Sequence, residues 1–163
     1  MQNKETKKTA LVRKQKGYLL YAGITVGLIA AIFFGGIFLQ KSYSNVNYKT
    51  ATVGSETFRL EVAKTDADRE KGLSERDGLP ADGGMLFDFG AYGDWRMWMV
   101  QMRFPIDIVW LTQDQKIVHI KHSATPAEYP EIYKSPTPAY YVVELPSGTM
   151  KRLDAQVGDS ISF

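Results

Sequence analysis

The sequence contains no cysteine. Disulfides, thiolate nucleophiles and thiolate metal sites are thereby excluded. A disulfide-free domain works on either side of a membrane, so this absence leaves the compartment open. Histidine is nearly as scarce: His119 and His122 are the only two. Three residues apart on a strand, they point to opposite faces, which does not make a shared metal site. No zinc signature, phosphate-cradling glycine loop or nucleophile elbow occurs. Gly35-Gly36 and Gly83-Gly84 lack the required frame, and Ser147 follows Pro146 with no G-x-S-x-G around it.

Charge is missing altogether from Tyr18 to Leu39. A membrane-spanning helix needs about 20 apolar residues at 1.5 Å rise each, and Tyr18 and Tyr21 suit the aromatic belt at an interface. A cleaved signal peptide, with Ser42-Tyr43-Ser44 near the cut, is the alternative. Its apolar core is usually about 7–15 residues, shorter than this run, so a retained anchor is expected. Lys4, Lys7, Lys8, Arg13, Lys14 and Lys16 stand before the run against one acid, Glu5. The positive-inside rule then leaves residues 1–17 as a basic cytoplasmic tail, 18–39 as a transmembrane helix and everything after it extracytoplasmic. From Thr50 onward there are 12 basic and 17 acidic residues, a net charge of −5. The overall charge of +2 therefore reflects the tail, and no nucleic-acid partner is expected for the acidic part.

Residues 40–51 are polar and read as a stalk, with a domain over 52–163. Phe58, Leu60 and Val62 alternate with Arg59 and Glu61, which predicts a half-buried strand over 57–63. Thr65 is a helix N-cap, with Asp68 at N3 in a short capping box, and Gly72 closes the helix after Lys71. Leu79 to Gly84 is turn chemistry. Met85-Leu86-Phe87 with Phe89 predicts a short strand, and Gly90 to Asp94 a turn. Strands follow over 96–101, 106–111 and 116–122, with Thr112 to Gln115 as a hairpin loop. Ser123 to Pro138 holds four prolines and is expected to be an ordered surface loop. A strand over 140–145, a short helical piece near 149–153 and a strand over 160–163 complete the chain. Short strands with little helix indicate an α+β domain, mainly antiparallel β, compact and barrel-like or sandwich-like.

The run from Trp95 to Trp110, WRMWMVQMRFPIDIVW, is the most apolar after the proposed span and holds all three tryptophans. It belongs to an ordered series: Arg69-x-x-Gly72-Leu73, Leu79 with Gly84-Met85-Leu86-Phe87, Trp98-Met99, Pro105-Ile106-Asp107-Ile108, Val143-Glu144-Leu145 with Gly148, and Gly158-Asp159. This series resembles domain-of-unknown-function family 192, small bacterial and archaeal domains often exported or membrane-anchored, over about residues 52–163. The resemblance implies a compact β-rich fold with little helix and no established activity. After Trp-Met the family usually has Lys-Asn-Thr where this chain has Val100-Gln101-Met102. Gln101 supplies an amide in place of Asn, and the cation and hydroxyl are lost.

Asp107 shares a strand face with Val109 and Leu111, and Glu144 shares one with Tyr140 and Val142. An unpaired carboxylate in such a place is costly, so each should find a partner, titrate high or face a cavity. In the structural reading each is held by an arginine, with Arg69 and Arg76 the natural partners, or by backbone N–H groups, and only builds the fold. Brought together, the two carboxylates could do general acid–base work. One polar pocket lined by Asp107, Glu144 and Arg69 is the expectation to test. Trp98 could form a platform for a sugar or a cation, although core packing is the ordinary fate of a tryptophan in an apolar strand. Met97 and Met99 share a face, and thioethers select Cu(I), although methionine usually fills core gaps.

The first functional reading is a membrane-anchored, extracytoplasmic module that binds an envelope ligand or protein through Arg69, Arg76, Trp98, Met99, Gln101, Asp107 and Glu144. It needs no cofactor or metal. The alternatives are an envelope hydrolase or lyase using Asp107 and Glu144, and a Cu(I)-binding module using Met97, Met99 and Trp98.

Overall fold

The computed structural model describes residues 46–163; the predicted cytoplasmic tail, transmembrane helix and the first half of the stalk lie outside them. Among the described residues no helix is long and apolar enough to cross a membrane. The first strands are β1 (Tyr48–Val53) and β2 (Glu56–Ala63), followed by helix α1 (Asp66–Lys71) and β3 (Gly83–Gly93). Then come β4 (Arg96–Trp98), β5 (Ile106–Leu111), β6 (Ile117–Ala124), β7 (Ile132–Lys134) and β8 (Ala139–Pro146). Helix α2 (Thr149–Arg152) and β9 (Ile161–Ser162) end the domain. Seven strands form one sheet in the order β6-β5-β8-β3-β2-β1-β9, and β4 pairs with β7 apart from it. All pairings are antiparallel except β2–β3, which α1 connects as a crossover.

The sheet curls until its ends meet. A bridge joins Lys116 to Ser160, and backbone bonds run from Ile117 N–H to the Asp159 carbonyl (2.9 Å) and from Ile161 N–H to the Gln115 carbonyl (3.1 Å). One apolar cluster draws residues from every strand of this sheet, among them Phe58, Leu60, Leu86, Leu111, Leu145 and Ile161, and so fills the inside of the half-barrel. Gly84 lies on that inner face. A Cβ there would meet Leu60 Cδ2 at 2.5 Å and the Glu144 carbonyl oxygen at 2.7 Å, so only glycine fits. A second cluster, with Phe87, Ile108, Trp110 and Val142, covers the outer face beneath the β4–β7 pair.

Local chemistry explains most of the elements. Thr65 Oγ1 accepts from Asp68 N–H (3.1 Å) and Asp68 Oδ2 accepts from Thr65 N–H (3.2 Å), completing the expected capping box. Gly72 ends α1 at φ +50°, where a side chain would be strained.

Four boundaries need correction. The stalk reading of 40–51 fails at its end, because β1 begins at Tyr48. Tyr48 to Thr50 are exposed on both faces, so they carry no alternation, and their partner is the backbone of β2. The predicted turn over Gly90–Asp94 is largely strand, since β3 runs on to Gly93 past an irregularity in its pairing with β8. The predicted strand over 96–101 stops at Trp98. Beyond it the backbone bonds to the loop after α1 instead of a strand, with the Gln101 carbonyl accepting from Glu75 N–H (2.9 Å). The proline-rich loop contains β7, which gives β4 its partner.

Candidate functional site

A cavity of about 260 Å³ opens on the outer face. Its parts come from five places in the chain. Helix α1 and the turn after it contribute Arg69, Lys71, Leu73 and Ser74; β3 contributes Phe87 and Phe89; β4 contributes Arg96, Met97 and Trp98; β8 contributes Glu144. Met102, from the loop after β4, also lines it.

Each wall is held by an identifiable contact. Helix α1 buries no residue of its own. Arg69 fastens it instead, donating to the carbonyls of Lys64 (2.6 Å) and Asp88 (2.9 Å) and to Asp66 Oδ1 (2.5 Å), with its guanidinium 5.3 Å from the Phe89 ring centre. Phe89 stacks on Trp95 at 3.9 Å. Ser74 Oγ donates to the Val100 carbonyl (2.9 Å), tying the turn after α1 to the loop after β4. Glu75 and Gln101, also bonded across that junction, both have positive φ, at 65° and 54°. A non-glycine residue keeps that conformation only where surrounding contacts impose it.

Glu144 is the chemical centre. It sits in mid-β8, opposite Met85 on β3 and Ile108 on β5. It is 4 % exposed. Its Oε2 has no hydrogen-bond partner; among the described residues only Trp95 Nε1 shares that state, and Trp95 does not line the cavity. Burial pushes the carboxyl up to about 8, against a partial opposing pull from Arg76. Near neutral pH this group is therefore mainly a carboxylic acid with a proton to donate. Arg76 is not its ion-pair partner. Its guanidinium is engaged by Glu61 through two bonds of 2.5 and 2.8 Å, which hold Glu61 below the usual carboxylate range.

Asp107 is not in this cavity, and the expected pocket of Asp107, Glu144 and Arg69 does not form. The register pairs Asp107 with Leu145 and Ile108 with Glu144, so successive residues put the two carboxylates on opposite faces of the sheet. Asp107 points to the inner face and is fully buried. Its Oδ1 accepts from Ser123 N–H (2.8 Å) and Gly148 N–H (3.1 Å), and its Oδ2 from Met150 N–H (2.9 Å). It thus caps the start of α2 from a distant strand. The acid–base pair of Asp107 and Glu144 has no geometric basis here.

The other predicted residues divide. Trp98 is 46 % exposed at the lip of the cavity, which overturns core packing for it. Gln101 lies outside this cavity; with Trp98 and Tyr129 it lines a neighbouring cleft of about 550 Å³. Met99 is buried in the outer-face core, whereas Met97 and Met102 line the cavity, so Met97 and Met99 do not face it together. Sequence reasoning missed Lys71, Phe87, Phe89, Arg96 and Met102. The alternation of Phe87 and Phe89 was a usable signal for one wall. Nothing local marked the two cations.

Comparisons with known proteins agree with this architecture. The family model of DUF192, described as Uncharacterized ACR, matches residues 48–163. A candidate transcription regulator from Sinorhizobium meliloti 1021, seen in a crystal structure, is 32% identical with a TM-score of 0.69, covering 74% of this chain and 97% of that one. A protein of unknown function from Novosphingobium aromaticivorans DSM 12444 is 27% identical, also with a TM-score of 0.69, covering 75% of this chain and 89% of that one. No curated protein matches the sequence. With its family's pattern carried over all nine strands, this chain belongs to the DUF192 family.

Proposed function

We propose that this chain is a membrane-anchored, extracytoplasmic ligand-binding module whose site is the cavity above Glu144. One observation carries the reading: a buried, unpartnered carboxyl oxygen at a cavity walled by aromatic and thioether side chains. Few convergent polar groups in a largely apolar concavity are the usual composition of a small-molecule site. The uncharged run from Tyr18 to Leu39 and its basic flank support the anchor and the orientation. The net charge of −5 from Thr50 onward stands against duplex binding, which the description of the Sinorhizobium protein would suggest.

The test is a thermal-shift screen on the full-length chain in detergent, against envelope glycans, small metabolites and Cu(I). A ligand present at 100 times its Kd stabilises the native state by about 2.7 kcal/mol, a midpoint rise of several degrees for a domain of this size. The expected result is a rise that Glu144→Leu and Trp98→Ala both remove. A rise that survives both variants would move the site elsewhere.

A further inference from the structure

The ligand-binding reading leaves the ligand's chemistry open, and the cavity's charges narrow it; this inference rests on that reading. At the floor, the protonated Glu144 carboxyl offers one donor and one acceptor oxygen, so the group that reaches it must be a neutral hydrogen-bonding group. An anionic end is excluded from the floor by the surrounding apolar wall of Phe87, Phe89 and Met97. The mouth is different. Lys71 and Arg96 are exposed there and neither has an ion-pair partner among the described residues, against the single exposed acid Glu70. Arg69 is already committed to Asp66 and to two carbonyls. Size sets the third limit. An apolar cavity of about 150 Å³ admits a benzene ring, so about 260 Å³ takes one ring with short substituents.

We propose that the cavity binds a small organic carboxylate. Its ring or apolar body lies between Phe87, Phe89, Met97 and Met102, an inner hydroxyl or carbonyl oxygen meets Glu144, and its carboxylate stays at the mouth with Arg96 and Lys71. Arg96 is the stronger anchor of the two, because its planar fork pairs a carboxylate through two bonds. Trp98 covers the ring from the lip.

Four one-ring probes test this by calorimetry on the full-length chain at pH 6.5: para-hydroxyphenylacetate, its neutral amide, tyramine and phenylacetate. The hydroxy acid is expected to bind at least tenfold more tightly than the amide or the amine. Arg96→Gln should remove most of that preference. Glu144→Leu should make para-hydroxyphenylacetate and phenylacetate bind alike, whereas Glu144→Gln, which keeps an N–H donor in the same place, should still favour the hydroxy acid. If the amide or tyramine binds as well as the acid, the carboxylate class is overturned while the binding module stands. If none of the four binds, and no fragment of a broader one-ring set shifts the wild-type midpoint, both readings fall.

Discussion

The half-barrel buries one carboxylate on each face of the same sheet, Asp107 inside and Glu144 outside, on the adjacent strands β5 and β8. Their burial is nearly equal, at 0 % and 4 % exposed. Their partners are not. Asp107 lies near the end of the sheet, where the turn into α2 presents backbone N–H groups that have no strand to pair with, and it takes three of them. Glu144 lies in mid-strand between β3 and β5, where backbone donors are used in the ladders, and its Oε2 is left bare. Burial alone therefore does not separate a carboxylate tied into the fold from one whose oxygen is left without a hydrogen-bond partner. The supply of unpaired donors around it does.

The contrast can be broken most strongly at Asp107. Asp107→Ala leaves three buried or half-buried N–H groups without an acceptor, at about 1–3 kcal/mol each. Denaturant titration should show a loss of at least about 3 kcal/mol, with Asp107→Asn losing less because one acceptor oxygen remains. A loss under about 1 kcal/mol would mean that water replaces the carboxylate, and the inner face would no longer differ from the outer one.

The next effect is one of pH. Folding raises the Glu144 carboxyl from 4.5 to about 8. Between those values the folded chain keeps a proton that the unfolded chain has released, so stability falls as pH rises, by about 1.4 kcal/mol per unit. The contribution is fully present below 4.5 and lost once pH passes about 8, a total of the order of 5 kcal/mol. Glu144→Gln has no such proton. Its stability relative to wild type should therefore climb steadily across that window, and parallel curves for the two proteins would show that Glu144 is solvated.

Gly84→Ala tests the inner face against the outer by volume. The new methyl group meets the Glu144 carbonyl and Leu60, and overpacking of this kind costs about 1–3 kcal/mol. The smallest effect on folding belongs to Trp98→Ala. With 46 % of the residue exposed, its removal should change the unfolding free energy by less than about 0.5 kcal/mol while abolishing ligand-induced shifts. A large loss of stability there would return Trp98 to the core.

The sequence determined by itself what depends on neighbours in the chain. Thr65, Asp68 and Gly72 specify α1 because a capping box and a positive-φ terminus need no tertiary partner. Alternation specifies β2, since Phe58 and Leu60 reach the core from every second position. The ordered series from Arg69 to Asp159 was enough to indicate the family. It also marked Asp107 and Glu144 as buried carboxylates that need an explanation, because each sits among apolar residues of one strand face. Tertiary structure alone decided which explanation applies to each. Facing is a matter of strand register, and the register of β5 against β8 sends the two side chains to opposite sides of the sheet. The same holds for Trp98, whose exposure follows from the short pairing of β4 with β7 out of a proline-rich loop. It holds for Lys71 and Arg96, which meet at one cavity mouth only because β2, α1 and β3 form a crossover beside β4. Local propensity acts over a few residues, whereas cavities and charge clusters arise from contacts between distant ones, and no spacing along the chain encodes them.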